Sequence, residues 1–208
     1  MKFRFGILTA LLILGLTNCS SLTRGLYGMK KLKKVNEETI IHYAKKYKIP
    51  QADLYVLDTS YLTFLFSLDT AKYKEQIKNH YQPLQALYYE RNGQLKSFQI
   101  NCYAGGFPNL KWNRNNTFET FPPRKQAMID SIVPLELQIK YINPLSQTKS
   151  SSIENYDYIV IVYWNRLMGR QSKRLIGFVQ ENHKLAGEKK VKIIYVNTDN
   201  IYTEKDIK

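Results

Sequence analysis

Two rhythms of apolar residues organise the chain from residue 36 onward. Ile40, Ile41, Ala44 and Tyr47 recur at helical spacing in a segment that Asn36 can cap and Ile49-Pro50 stops. Glu37 and Glu38 fall in its first turn, where acids suit the positive end of the helix dipole, so a helix is predicted over 37–48. "DLYVLD", 53–58, predicts a short strand, and helical spacing returns across 60–67 and 71–81, ahead of Gln82-Pro83. In "LQALYYERNGQLKSFQIN", 84–101, two alternating, aromatic-rich runs flank Arg91-Asn92-Gly93-Gln94. Asn-Gly at such a centre is the strongest short hairpin signal. "VPLELQIKYI", 133–142, sets Leu135, Leu137 and Ile139 against polar partners and predicts a half-exposed strand.

The pattern changes near Tyr156. "YIVIVYW", 158–164, is a continuous apolar run, as expected of a strand buried on both faces of a parallel sheet. A helix follows, with Leu175, Ile176, Val179 and Ala186 on one side and Gly187 as its stop. "VKIIYVN", 191–197, predicts a second buried strand, which completes a right-handed βαβ unit. The fold class predicted is therefore α/β, with this unit inside a mixed sheet flanked by helices. Between hairpin and unit, 103–123 is a long loop with Gly105, Gly106, Pro108, Pro122 and Pro123. It also carries Phe107, Trp112, Phe118 and Phe121, so it is expected to tuck onto the core. The stretch 143–157 reads as a polar connector.

The first nineteen residues concern location. A basic start, Met1-Lys2-Phe3-Arg4, precedes an apolar run from Phe5 to Leu16, the layout of a secretory signal peptide. Leu16-Thr17-Asn18-Cys19 resembles a bacterial lipobox, although Asn18 departs from the usual small residue before the cysteine. That resemblance implies lipidation of Cys19, cleavage just before it and acylation of the new amino terminus. It divides the chain into a signal peptide at 1–18, a lipidated basic tether at 19–35 and one α/β domain at 36–208. The domain is long enough for a single packed core.

Charge and cysteine usage follow from that division. The whole chain carries a net charge of +14; loss of Lys2 and Arg4 leaves 29 basic against 17 acidic residues, or +12. Lys30, Lys31, Lys33 and Lys34 stand just after the proposed anchor, where lysines near an anionic membrane contribute about 1 kcal/mol each. With Cys19 acylated, Cys102 is the remaining thiol, which rules out an intramolecular disulfide and any two-thiol redox route. A lone cysteine in a β-rich stretch is expected to pack as a small buried apolar residue.

Residues 156–200 resemble the first βαβ unit of thioredoxin-like proteins. There a strand ends in an aromatic and a tryptophan, a turn carries Cys-x-x-Cys at the helix start, and the next strand leads into Asn or Asp. Trp164 matches the tryptophan, Met168-Gly169-Arg170-Gln171 falls at the Cys-Gly-Pro-Cys positions with Gly169 kept, and "YVNTD" ends at Asp199. Thiol–disulfide exchange needs a thiolate and a resolving thiol, so Met168 and Gln171 imply a degenerate motif without redox chemistry. The family's later hairpin would have to come from elsewhere: 84–101, which follows Pro83, is a candidate that would make the domain rearranged or permuted, the alternative being a mixed α/β sandwich with a generic βαβ unit.

Other chemistry is sparsely represented. His42, His80 and His183 lie far apart and are expected at the surface, so no metal is predicted, nor any cofactor. No Gly-x-Ser-x-Gly elbow or phosphate-cradling glycine loop occurs. The start of the last long helix, with Arg166, Arg170, Ser172 and Lys173, is a candidate anion site. The expectation is a membrane-anchored lipoprotein on the periplasmic or extracellular side, binding or scaffolding rather than catalysing. An envelope protein or an anionic ligand is its expected partner, and nucleic acid is not. The alternatives are an envelope thiol-redox protein acting through Cys102, or an enzyme of unrecognised type.

Overall fold

The apolar run at 158–164 becomes the strand on which the sheet is assembled. The computed structural model describes residues 35–102, 111–146, 148 and 152–202. The signal segment, Cys19, the lysines at 30–34 and the loop stretch 103–110 lie outside the described residues. The elements are α1 (Glu37–Lys46), β1 (Leu54–Leu57), α2 (Ser60–Ser67), α3 (Lys74–His80), β2 (Gln85–Glu90), β3 (Leu95–Ile100) and α4 (Leu135–Lys140), followed by β4 (Ile142–Pro144), β5 (Tyr158–Trp164), α5 (Gly169–His183) and β6 (Val191–Asn197). Six strands form one mixed sheet in the order β3-β2-β5-β6-β1-β4. The strand pairs β5–β6 and β6–β1 are parallel; β2–β5, β2–β3 and β1–β4 are antiparallel.

The fold is thus α/β, with a βαβ unit inside a mixed sheet flanked by helices. The hairpin β2–β3 precedes the unit in sequence yet joins the sheet beside β5, consistent with a thioredoxin-like arrangement in rearranged order. Its turn forms where Asn-Gly predicts one but in a longer version: the Gly93 amide donates to the Glu90 carbonyl at 2.8 Å, so Arg91 and Asn92 hold the turn centre and Gly93 follows in the left-handed region. Gly93 has φ +79°, where a Cβ would be strained, and Asn92 Oδ1 accepts from the Gln94 amide at 2.9 Å.

All seven residues of β5 are buried, and its side chains alternate between two cores. Val160, Val162 and Trp164 pack with α1 and α5 through Ile40, Ala44, Leu175 and Ile176. Ile159, Ile161 and Tyr163 pack on the opposite face with Tyr61 and Leu65 of α2 and Leu135 of α4. Trp112 and Phe118 are buried in the first core, so the described part of the long loop does tuck.

Two expectations are corrected. The segment 133–142 is not a strand: Pro134 precedes a short helix, α4, with Glu136 in its first turn and Lys140 in its last. The core takes Leu135 and Gln138, a spacing of three, because buried Gln138 accepts a hydrogen bond from the Tyr163 hydroxyl. Only then does the chain extend into β4. His80 is not at the surface either. Its ring lies 4.9 Å from that of Phe98, and Nε2 sits 3.1 Å from Asp130 Oδ1, with the imidazole fully buried.

Burial dominates the phenols. It pushes Tyr47 and Tyr195 up to about 12 and raises Tyr88, Tyr89 and Tyr163 well above 10.0. The folded state therefore holds these protons more tightly than the unfolded chain. Their contribution to stability is fully present below about pH 10 and is lost as pH rises from about 10 toward 12 and beyond. Tyrosinate absorbance should rise together with loss of the folded circular-dichroism signal. Titration of all tyrosines near pH 10 in a still-folded protein would contradict this packing.

Candidate functional site

The carboxyl ends of β5 and β6 lie side by side, with Trp164 paired to Asn197, and α5 begins just beyond. In open α/β sheets this edge is where ligands most often bind. Here it is filled by polar side chains of the chain itself. The Asn165 amide donates to Ser172 Oγ at 3.1 Å, and that hydroxyl donates back to the Asn165 carbonyl at 2.7 Å. Asn165 Oδ1 accepts from the Met168 amide at 2.8 Å, while its Nδ2 donates to the Pro83 carbonyl at 2.9 Å. One asparagine thus ties the strand end to the helix start and to the entry of the hairpin.

Arg166 and Asp199 close the second half of this corner. The Arg166 amide donates to Asp199 Oδ1 at 2.6 Å, and the guanidinium Nε donates to Oδ2 of the same carboxylate. Asp199 is fully buried, and the Arg166 guanidinium lies 5.7 Å from the centre of the Tyr43 ring. The Thr198 amide reaches the Trp164 carbonyl at 2.9 Å and the Asp199 amide reaches Asn197 Oδ1 at 3.0 Å. Buried polar groups are tolerated when they are paired in this way.

The residues aligned above with Cys-Gly-Pro-Cys occupy the same corner. Trp164 is fully buried and meets Tyr47 edge-on at 5.6 Å. Met168 is buried and belongs to the first core. Gly169 has a local reason to be glycine, since a Cβ there would stand 2.7 Å from the Tyr47 hydroxyl. Gln171 is buried with neither amide atom hydrogen-bonded, while Arg170 points to solvent. Neither Met168 nor Gln171 can form a thiolate, so thiol–disulfide exchange cannot run through these two side chains.

The four residues considered for anion binding do not share one face. Arg166 is paired with Asp199 and the Ser172 hydroxyl is committed to Asn165, both inside the protein. Arg170 and Lys173 are exposed on α5. The amides of Gly169, Gln171 and Ser172 all donate to backbone carbonyls of Arg166 or Met168.

Cys102 lies on the same edge of the sheet but two strands away, about 10 Å across. It is half-buried, and Asn101 Nδ2 approaches its Sγ at 3.4 Å. Burial raises its thiol pKa, outweighing the lowering effect of Lys78. That direction is opposite to the shift that activates redox cysteines. Among the described residues no group of three or more His, Cys, Asp or Glu is arranged to hold a metal ion. No helix there is long and apolar enough to cross a membrane.

Sequence reasoning quoted Asp199 as a strand-end match and missed its bond to Arg166. The clue was a cluster of short polar residues, Asn165 and Asn197-Thr198-Asp199, directly after two continuous apolar strands. Comparison with family models, curated proteins and solved structures finds nothing that matches this chain.

Two substitutions test the corner. Asp199→Ala removes the carboxylate from the buried Arg166 and is expected to cost about 3–5 kcal/mol in denaturant unfolding, whereas Arg166→Met with Asp199→Leu should cost less. Gly169→Ala is expected to cost about 1–3 kcal/mol. Tyr47→Phe should recover part of that loss, and an undiminished cost in the double variant would sink the steric account.

Proposed function

We propose that this chain is a membrane-anchored lipoprotein of the bacterial cell envelope, whose thioredoxin-like domain binds or scaffolds without catalysing thiol chemistry. The observation that carries the reading is the β5–α5 turn. Met168 and Gln171 stand where a redox pair would need two cysteines, and both side chains are packed into the domain rather than presented to a substrate. The surrounding network supports the same view, because Asn165, Ser172 and the Arg166–Asp199 pair make the turn a structural joint. The raised thiol of Cys102 argues against a relocated nucleophile.

The anchor rests on the amino-terminal pattern, a basic start, an apolar run and Leu16-Thr17-Asn18-Cys19, followed by Lys30, Lys31, Lys33 and Lys34. Multiple acyl chains with an adjacent basic cluster give firm membrane attachment. The domain then works at the periplasmic or extracellular surface, in contact with an envelope protein or an anionic ligand.

Two measurements test the two halves of the proposal. In a bacterial host the full chain should incorporate labelled palmitate and sediment with membranes, and Cys19→Ser should lose the label and the sedimentation. Palmitate retained by Cys19→Ser would remove the anchor. In a disulfide-reduction assay with a soluble thiol donor, the protein should match the uncatalysed rate. Cys102 should be alkylated slowly at neutral pH, faster as pH rises, and at once on unfolding. Reductase activity abolished by Cys102→Ser would instead establish the thiol-redox alternative.

A further inference from the structure

We infer that the cleft between the carboxyl end of α1 and the exposed face of α5 is a binding site for a phosphate-bearing ligand. The cleft measures about 480 Å³, the size of a small-molecule site. Its walls present Lys46 and Lys48 from one side and Lys173 and Arg174 from the other, with Phe178 as apolar floor. Glu181 is the acid among its lining residues, and both its oxygens are held by Lys184 at 2.8 and 2.7 Å. No ion pair is formed by Lys46, Lys48 or Lys173 among the described residues, and the Lys46 ammonium stands 5.8 Å from the centre of the Tyr43 ring.

Two features of α5 run against what a helix by itself prefers. The first is its charge order. Arg170, Lys173 and Arg174 crowd the amino-terminal half of the helix and no acid stands in its first turn. Cations there oppose the helix dipole, whereas α1 follows the dipole rule with Glu37 and Glu38 first and Lys45 and Lys46 last. The second is Gly177, in the middle of the helix and at the wall of the cleft. A Cβ on Gly177 would meet nothing within 4 Å, so no neighbour in the fold requires glycine. Glycine weakens a helix interior, and its missing side chain leaves room for a ligand to approach the helix backbone.

The chemistry follows from the lining. Three lysines and an arginine lining one cleft suit a phosphate, since Arg can supply a planar fork and Lys point charges. Phe178 offers a surface for an apolar portion of the same ligand. The headgroup of an anionic phospholipid and a soluble organophosphate share this chemistry. The inference rests on the cleft alone and holds whether or not Cys19 is acylated.

The test uses the purified full chain in neutral detergent, by calorimetric titration. One arm adds glycerol phosphate in solution. The other adds phosphatidylglycerol to the micelles, with phosphatidylcholine as the control. Binding is expected in at least one arm, and which one identifies the source as soluble or lipid. Gly177→Leu should abolish it while circular dichroism and melting stay native, because the added side chain enters open space. Lys46→Ala and Lys173→Ala should each weaken it about fivefold, and Lys96→Ala, outside the cleft, should not. Binding in neither arm overturns the inference. So does binding that survives unchanged in a folded Gly177→Leu protein and in the Lys46→Glu, Lys173→Glu double variant.

Discussion

The structure depends on one constraint, that β5 is buried on both faces and bonded along both edges. Each of its seven residues is paired with β6, and six are paired with β2. A backbone this far from water must satisfy every amide and carbonyl inside the protein, which is what a central strand achieves. Its two sets of side chains then demand two separate covers. One is made by α1, α5 and the Trp112–Phe118 segment, the other by α2, α4 and the loop around Val133. Neither cover is adjacent to β5 in sequence except α5, so the strand acts as the collector of distant pieces.

The same constraint explains why the end of β5 is so heavily hydrogen-bonded. Where a buried strand stops, its last polar groups face the interior without a ladder partner. Asn165, Thr198 and Ser172 supply those partners with side chains. Arg166 and Asp199 do so with a charged pair, at the larger desolvation cost that buried ions carry. The geometry of this corner closes the sheet, and Met168 joins the core instead of the solvent. A thiolate at that position would have to be exposed to meet a substrate, so packing and redox chemistry there would be competing uses of one site.

What was legible in the sequence was what is decided locally. The continuous apolar runs at 158–164 and 191–197 could be strands only if covered on both sides, and the Asn92-Gly93 pair specified its own turn. The helix at 135–140 was illegible because six residues hold both periods, and the deciding contact, Tyr163 to Gln138, spans 25 residues. His80 was misjudged for the same reason, since Asp130 lies 50 residues away. Arg166 looked like a free cation in sequence and became an internal counter-ion through Asp199, 33 residues on. The errors share one source: a polar residue is read as exposed until its distant partner is known.

The two faces of α5 make the converse case. Its inner face is dictated by the core, where Leu175, Ile176 and Val179 are each essentially unexposed and could be read from spacing alone. Its outer face carries fewer such demands, though Gln180 donates to the Lys48 carbonyl at 3.0 Å and the Phe178 ring lies 5.5 Å from that of Phe118. Helix preference alone would favour acids near the amino end and alanine over Gly177, by about 0.3–1 kcal/mol for each change. The chain carries cations and a glycine instead, and Lys173, Arg174 and Gly177 all stand at the wall of the cleft inferred to bind phosphate.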